Sequence, residues 1–109
     1  MKPPEDCESI YNVREAIDSL DRQIVGLIGQ RARYVKVAAR FKTGEKSVRA
    51  PERQKTMLEE RRRWAEEEGL DPEIIEKIYR DLVDYSINRE MEDWNQIDGQ
   101  PPVIDNPSQ

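Results

Sequence analysis

The sequence predicts an all-α protein with three helices per chain, one long, one short and one intermediate, joined with a second copy in a homodimeric helical bundle. Three observations carry this. Apolar residues recur at alternating steps of four and three over long stretches, no segment alternates with the period of a strand, and proline, glycine and capping residues divide the chain into three periodic segments.

The first helix is predicted to open at a capping box formed by Asn12 and Glu15. Its seam runs Val13, Ile17, Leu20, Ile24 and Leu27, reaches Arg31, and resumes at Tyr34, Ala38 and Phe41. About 29 residues at ~1.5 Å each make a rod of about 43 Å. Lys42 to Arg49 contains Gly44 and Ser47, loses the period and is expected to be a mobile loop. Pro51 and Glu52 suit the first turn of the second helix, which is expected to stop near Gly69. Its apolar content is thin, mainly Met57, Leu58, Trp64 and Ala65, while Arg61, Arg62 and Arg63 and the run Glu66 to Glu68 read as a solvated face. Asp71 and Pro72 form an N-cap and N1 pair for the third helix, whose stripe runs Ile75, Ile78, Tyr79 and Leu82, then Ser86, Glu90 and Trp94. Residues 1–97 are therefore expected to form one helical domain. Residues 98–109, DGQPPVIDNPSQ, are expected to be a disordered tail.

Composition narrows the function. With 18 Lys+Arg against 23 Asp+Glu, the net charge of -5 argues against a nucleic-acid binder or an anionic-membrane binder. One cysteine, Cys7, gives no disulfide framework, and the absence of histidine removes the usual zinc spacings and imidazole triads. No metal or cofactor is called for. The opening MKPPEDC has no apolar run of the signal-peptide kind, and no stretch approaches the ~18 apolar residues of a membrane span. A soluble, cytoplasmic protein is expected.

The first helix is apolar along its whole seam, and the second offers too little hydrophobic surface to cover it together with the third. A homodimer with paired first helices would supply the missing cover.

The polar interruptions of the seams point to a ligand. Arg31 stands where an apolar residue belongs, and removing a guanidinium from water is costly unless an anion meets it. Lys42, eleven residues on, would lie about 20° from the same face and about 16 Å along the axis, so both side chains can converge on one small anion. Arg14 lies about 25 Å before Arg31 and is rotated by about 100°, so it could serve only a partner's pocket. As a cation in the first turn it would also oppose the helix dipole. On the third helix, Ser86 and Glu90 interrupt the line from Leu82 to Trp94. In the plainer alternative, Arg31 snorkels from the seam edge or pairs with an internal carboxylate such as Glu90.

These residues lie within segments that resemble the all-helical chorismate mutase family, and within it the branch of isochorismate-pyruvate lyases. PEDC, VREAID, the stretch ending in GQR, YVKVAARFK, APER, RWAEEEGLD and the closing helix to Trp94 carry the resemblance, which covers nearly everything except the tail. It implies an intertwined helical dimer with two equivalent pockets, in which Arg14 of one chain and Arg31, Lys42 and Glu90 of the other bind a dicarboxylate. Lys42 and Glu90 are the candidate catalytic pair, and Arg53, Val35, Ala38, Met57 and Ser86 complete the substrate-binding set. The implied reaction is pericyclic: the enolpyruvyl ether of isochorismate breaks while a hydrogen moves to the pyruvyl methylene, giving salicylate and pyruvate. Chorismate mutase, a mutase for an amino-substituted chorismate and a non-catalytic dimerisation module are the alternatives.

Two departures from the family pattern matter. Many members carry glutamine where this chain has Glu90, and an ionised carboxylate there would repel a dianion, so Glu90 must be protonated to help. Mutases of the family place acidic groups near the start of the second helix to bind a ring hydroxyl. The matching positions here are Ala50 and Gln54, which favours the lyase.

Overall fold

The computed structural model describes residues 1–41, 44 and 50–98, with Glu90 and residues 93–98 described as helical backbone only. Among these residues the chain forms three α-helices: α1 Ile10–Ala38, α2 Pro51–Glu67 and α3 Pro72–Asp98. The expected mobile loop, apart from Gly44, and the expected tail beyond Asp98 lie outside the described residues. Two compact units are present, Met1–Tyr34 and the chain from Val35 onward. No helix among the described residues is long and apolar enough to cross a membrane.

The first unit begins with a single 3-10 turn, Pro4–Asp6. It then enters α1 through a cap different from the expected one. The backbone N–H of Asn12 donates to Ser9 Oγ (3.2 Å), and Asn12 Oδ1 accepts from the N–H of Glu8 (3.0 Å). Ser9 therefore caps the helix, and Asn12, the expected cap, lies three residues inside, where its side chain bonds Glu8, the residue before the cap. α1 has the expected length, 29 residues, but starts earlier, and its last turn tightens into a 3-10 turn at Ala39–Phe41. No residue of α1 is buried. The seam residues Val13, Ile17, Leu20, Ile24 and Leu27 are 37–60% exposed. Gly26 and Gly29 in its interior each cost about 1 kcal/mol relative to alanine, so intrinsic propensity does not hold this helix.

The second unit is built on the α2–α3 hairpin. Pro51 occupies the first turn of α2, as expected. The preceding Ala50 sits in the left-handed region (φ 38°, ψ 64°), a conformation that costs a Cβ-bearing residue about 1–2 kcal/mol. α2 closes in a Schellman motif: Leu70 N–H donates to Ala65 O (2.8 Å) and Gly69 N–H to Glu66 O (3.1 Å), with Gly69 at φ 73°. Asp71 then caps α3 through Oδ1, which accepts from the N–H of Glu73 (2.9 Å).

Met57 and Leu58 of α2 meet Val83 and Ile87 of α3 in one buried cluster, with Tyr79 and Met91 packed against it. On α3 the buried residues are Val83 and Ile87, with Tyr79 and Met91 partly buried on the same line; Tyr79 and the half-buried Ile75 and Leu82 belong to the predicted stripe, but the line is deepest one position round from it. Of that stripe, Ile78 is exposed and Ser86 half-buried. The reading of Arg61 to Arg63 as solvated charge also needs correction. Arg63 is exposed, but Arg61 and Arg62 are partly buried, because the long side chains lie along α3 and find partners there.

Candidate active site

Arg31 is half-buried on α1, whereas Arg14 is exposed near the amino end of the same helix. Because α1 starts at Ile10, Arg14 lies beyond the first turn and the expected opposition to the helix dipole largely disappears. Val35 and Ala38 follow Arg31 at steps of four and three, on one face of α1, and both are half-buried. Lys42 lies outside the described residues.

In the hairpin, Arg53 is exposed in the first turn of α2, and Met57 stands one turn further in, 4% exposed within the core. Ser86 is half-buried on α3 next to the buried Ile87. Glu90 continues the helix one turn after Ser86, but its side chain lies outside the described residues. Of the candidate set, Arg14 and Arg31 belong to the first unit, and Val35, Ala38, Arg53, Met57, Ser86 and the helical backbone of Glu90 to the second. Ala50 and Gln54, the two positions singled out as favouring the lyase, stand at the head of the hairpin. Ala50 O accepts the N–H of Gln54 (3.0 Å), and Gln54 is half-buried.

A charged cluster that the sequence reading missed ties α2 to α3. Arg62 Nη1 donates to Glu76 Oε1 and Arg80 Nε to Glu76 Oε2, both at 2.7 Å. These bonds, the one from Arg62 foremost, hold the Glu76 carboxyl below its usual range. Arg61 Nη1 donates to Glu60 Oε1 (2.7 Å), and the guanidinium stacks near the rings of Trp64 and Tyr79. The sequence did hold a signal for Arg61, since it falls at helical spacing between Met57 and Ala65.

Each unit offers part of what a small anionic ligand needs. The first holds a half-buried arginine on a largely apolar helix face, and the second holds apolar residues with a hydroxyl at Ser86 and an amide at Gln54. Residues of these kinds can orient an anion and stabilise negative charge without a nucleophile.

The family model for chorismate mutase type II matches residues 13–91. The chain is 46% identical over 99 residues to the isochorismate pyruvate lyase of Pseudomonas aeruginosa, covering 91% of this chain and 98% of that protein. It is also 35% identical over 74 residues to the T-protein of Haemophilus influenzae, covering 67% of this chain but 20% of that much longer one. With both the helical segments and the likeness along the chain in agreement, this protein belongs to the chorismate mutase type II family.

Proposed function

We propose that the chain is an isochorismate pyruvate lyase, converting isochorismate to salicylate and pyruvate by a concerted, pericyclic elimination. The observation that carries this reading is the 46% identity to a protein of that name over almost the full length of both chains. Ala50 and Gln54, in place of acidic groups at the head of α2, favour the lyase over the mutase.

The working unit in this reading is a cytoplasmic homodimer of the 1–97 domain, paired through the α1 seams that a single chain leaves uncovered. Arg31 of one chain and Arg14 of the other hold the two carboxylates of the substrate, with the bidentate geometry that arginine favours. Lys42 donates to the ether oxygen as negative charge grows there, and a protonated Glu90 shares that task. Arg53, Val35, Ala38, Met57 and Ser86 line the ring. A concerted reaction places its demands on conformation and electrostatics, which this residue set supplies.

The family match supports a second, weaker activity, chorismate to prephenate, for which Gln54 still offers an acceptor to the ring hydroxyl. Incubating the purified protein separately with isochorismate and with chorismate distinguishes the two, by salicylate fluorescence against prephenate formation. Salicylate release only from isochorismate is the expected result, and prephenate as the sole product would reverse the assignment. Arg31→Ala should lower kcat/KM by about 10- to 150-fold, the worth of a charged hydrogen bond of ~1.5–3 kcal/mol, with far less effect on folding. An unchanged rate would remove the pocket.

A further inference from the structure

The buried stripe of α2 is interrupted by a charge. Met57, Leu58 and Ala65 are buried. Arg61 stands on the same stripe, one turn after Met57 and one turn before Ala65, with a side chain only 16% exposed. Its guanidinium carbon lies 4.5 Å from the centroid of Trp64 and 5.6 Å from that of Tyr79 on α3. Nη1 bonds Glu60, while Nε is buried with no acceptor among the described residues. A methionine would fill this place without desolvating a cation, and replacing such charges by packed apolar side chains is often neutral or stabilising. What the guanidinium adds is direction. Its plane stacks well only where both rings stand correctly around it, whereas apolar contacts are satisfied in several neighbouring packings.

We propose that Arg61 is a positioning residue for the candidate site, fixing the register of α2 against α3; this rests on the lyase reading above. The pairings Arg62–Glu76 and Arg61–Tyr79 and the core of Met57 with Ile87 run antiparallel along the hairpin. Continued one turn further, the same register brings Arg53 and Gln54 towards the α3 segment around Met91, beside the helical backbone of Glu90. A slip of one turn would carry α2 about 5.4 Å along α3, enough to separate these side chains while leaving apolar residues in contact. Arg53 lies about 12 Å along the axis from Arg61, so Arg61 acts through the helix and not on the substrate.

Arg61→Met and Arg61→Lys test this in two independent measurements, isochorismate turnover and nuclear Overhauser contacts between the methyl groups of Met57 and Ile87. Arg61→Met should stay helical with a thermal midpoint at or above wild type. It should lose about 10- to 100-fold in kcat with KM changed by less than about threefold, and show weakened or doubled Met57–Ile87 cross-peaks. Arg61→Lys, which keeps the charge without the plane, should recover only part of kcat. A kcat for Arg61→Met within about twofold of wild type, with a single unchanged set of cross-peaks, would overturn the proposal. So would failure of both variants to fold, which would make Arg61 a support of the fold itself. If the wild type turns over no isochorismate, the lyase reading fails, and the cross-peaks alone decide the register: altered in Arg61→Met they support it, unchanged they overturn it.

Discussion

Truncating Ile24 to alanine asks whether α1 is built for a second copy of the chain. Ile24 lies midway along the seam and is 51% exposed in the single chain. Full burial of an isoleucine side chain contributes about 1.5–3 kcal/mol, so with half of it still open a facing helix stands to gain about 1 kcal/mol. A two-fold symmetric dimer contains the residue twice, so the truncation should cost about 2 kcal/mol of association, about thirtyfold in Kd. In a lone chain the effect has the opposite sign, because alanine is the better helix former by a few tenths of a kcal/mol. Sedimentation equilibrium over a wide concentration range reads the first effect. Circular dichroism on dilute, dissociated protein reads the second. A dimer weakened by about thirtyfold, with helix content unchanged or raised on dilution, is the expected result. A wild type that sediments as a single chain at tens of micromolar, or a Kd that moves by less than about threefold, would refute the argument from the exposed seam.

Three further outcomes follow from the same structure. Glu76 has a depressed pKa, so its pairing with Arg62 and Arg80 contributes stability that is present above the ordinary glutamate range and is lost as the pH falls through the folded-state value. Urea midpoints for Glu76→Gln should therefore lie below wild type near neutrality and converge with it in acid; parallel curves would show that the pairing adds no pH-dependent stability. Ala50→Gly should relieve about 1–2 kcal/mol of left-handed strain against an entropic cost of about 0.4–1 kcal/mol, raising the thermal midpoint by about 3–5 °C, whereas a lowered midpoint would contradict the backbone geometry. If Glu90 acts in its protonated form, kcat/KM of the wild type should rise towards acid and that of Glu90→Gln should not; superimposable pH profiles would remove the role.

The helices were legible because their ends are local. Asp71–Pro72 starts α3 through one short bond to the N–H of Glu73, and Gly69 supplies the positive φ that ends the Schellman motif; neither depends on anything distant in sequence. The start of α1 was misplaced because two capping pairs overlap there, Ser9 with Asn12 and Asn12 with Glu15. The choice between them rests on where Ile10 and Tyr11 go, and both stay exposed, so neither added to the apolar pattern. The deepest line of α3 was one position out for a different reason. Several apolar lines compete on that helix, and only the pairing with Met57 and Leu58 selects the one through Val83 and Ile87.

Two arginines on apolar stripes had opposite fates in the sequence reading. Arg31 was conspicuous because the apolar seam of α1 continues for turns on either side of it, so one cation breaks a strong pattern. Arg61 breaks a stripe of only three buried residues and has Arg62 and Arg63 beside it, so a run of like charge conceals the one member that turns inward. What separates them physically is the partner. The stacking surfaces for Arg61 come from Trp64 on its own helix and Tyr79 eighteen residues away, and aromatic faces carry no charge for a sequence pattern to register. Charge runs on short helices are therefore poor evidence of a solvated face wherever aromatic residues recur at one-turn spacing nearby. The burial of a cation is decided by the ring it meets as much as by the anion it lacks.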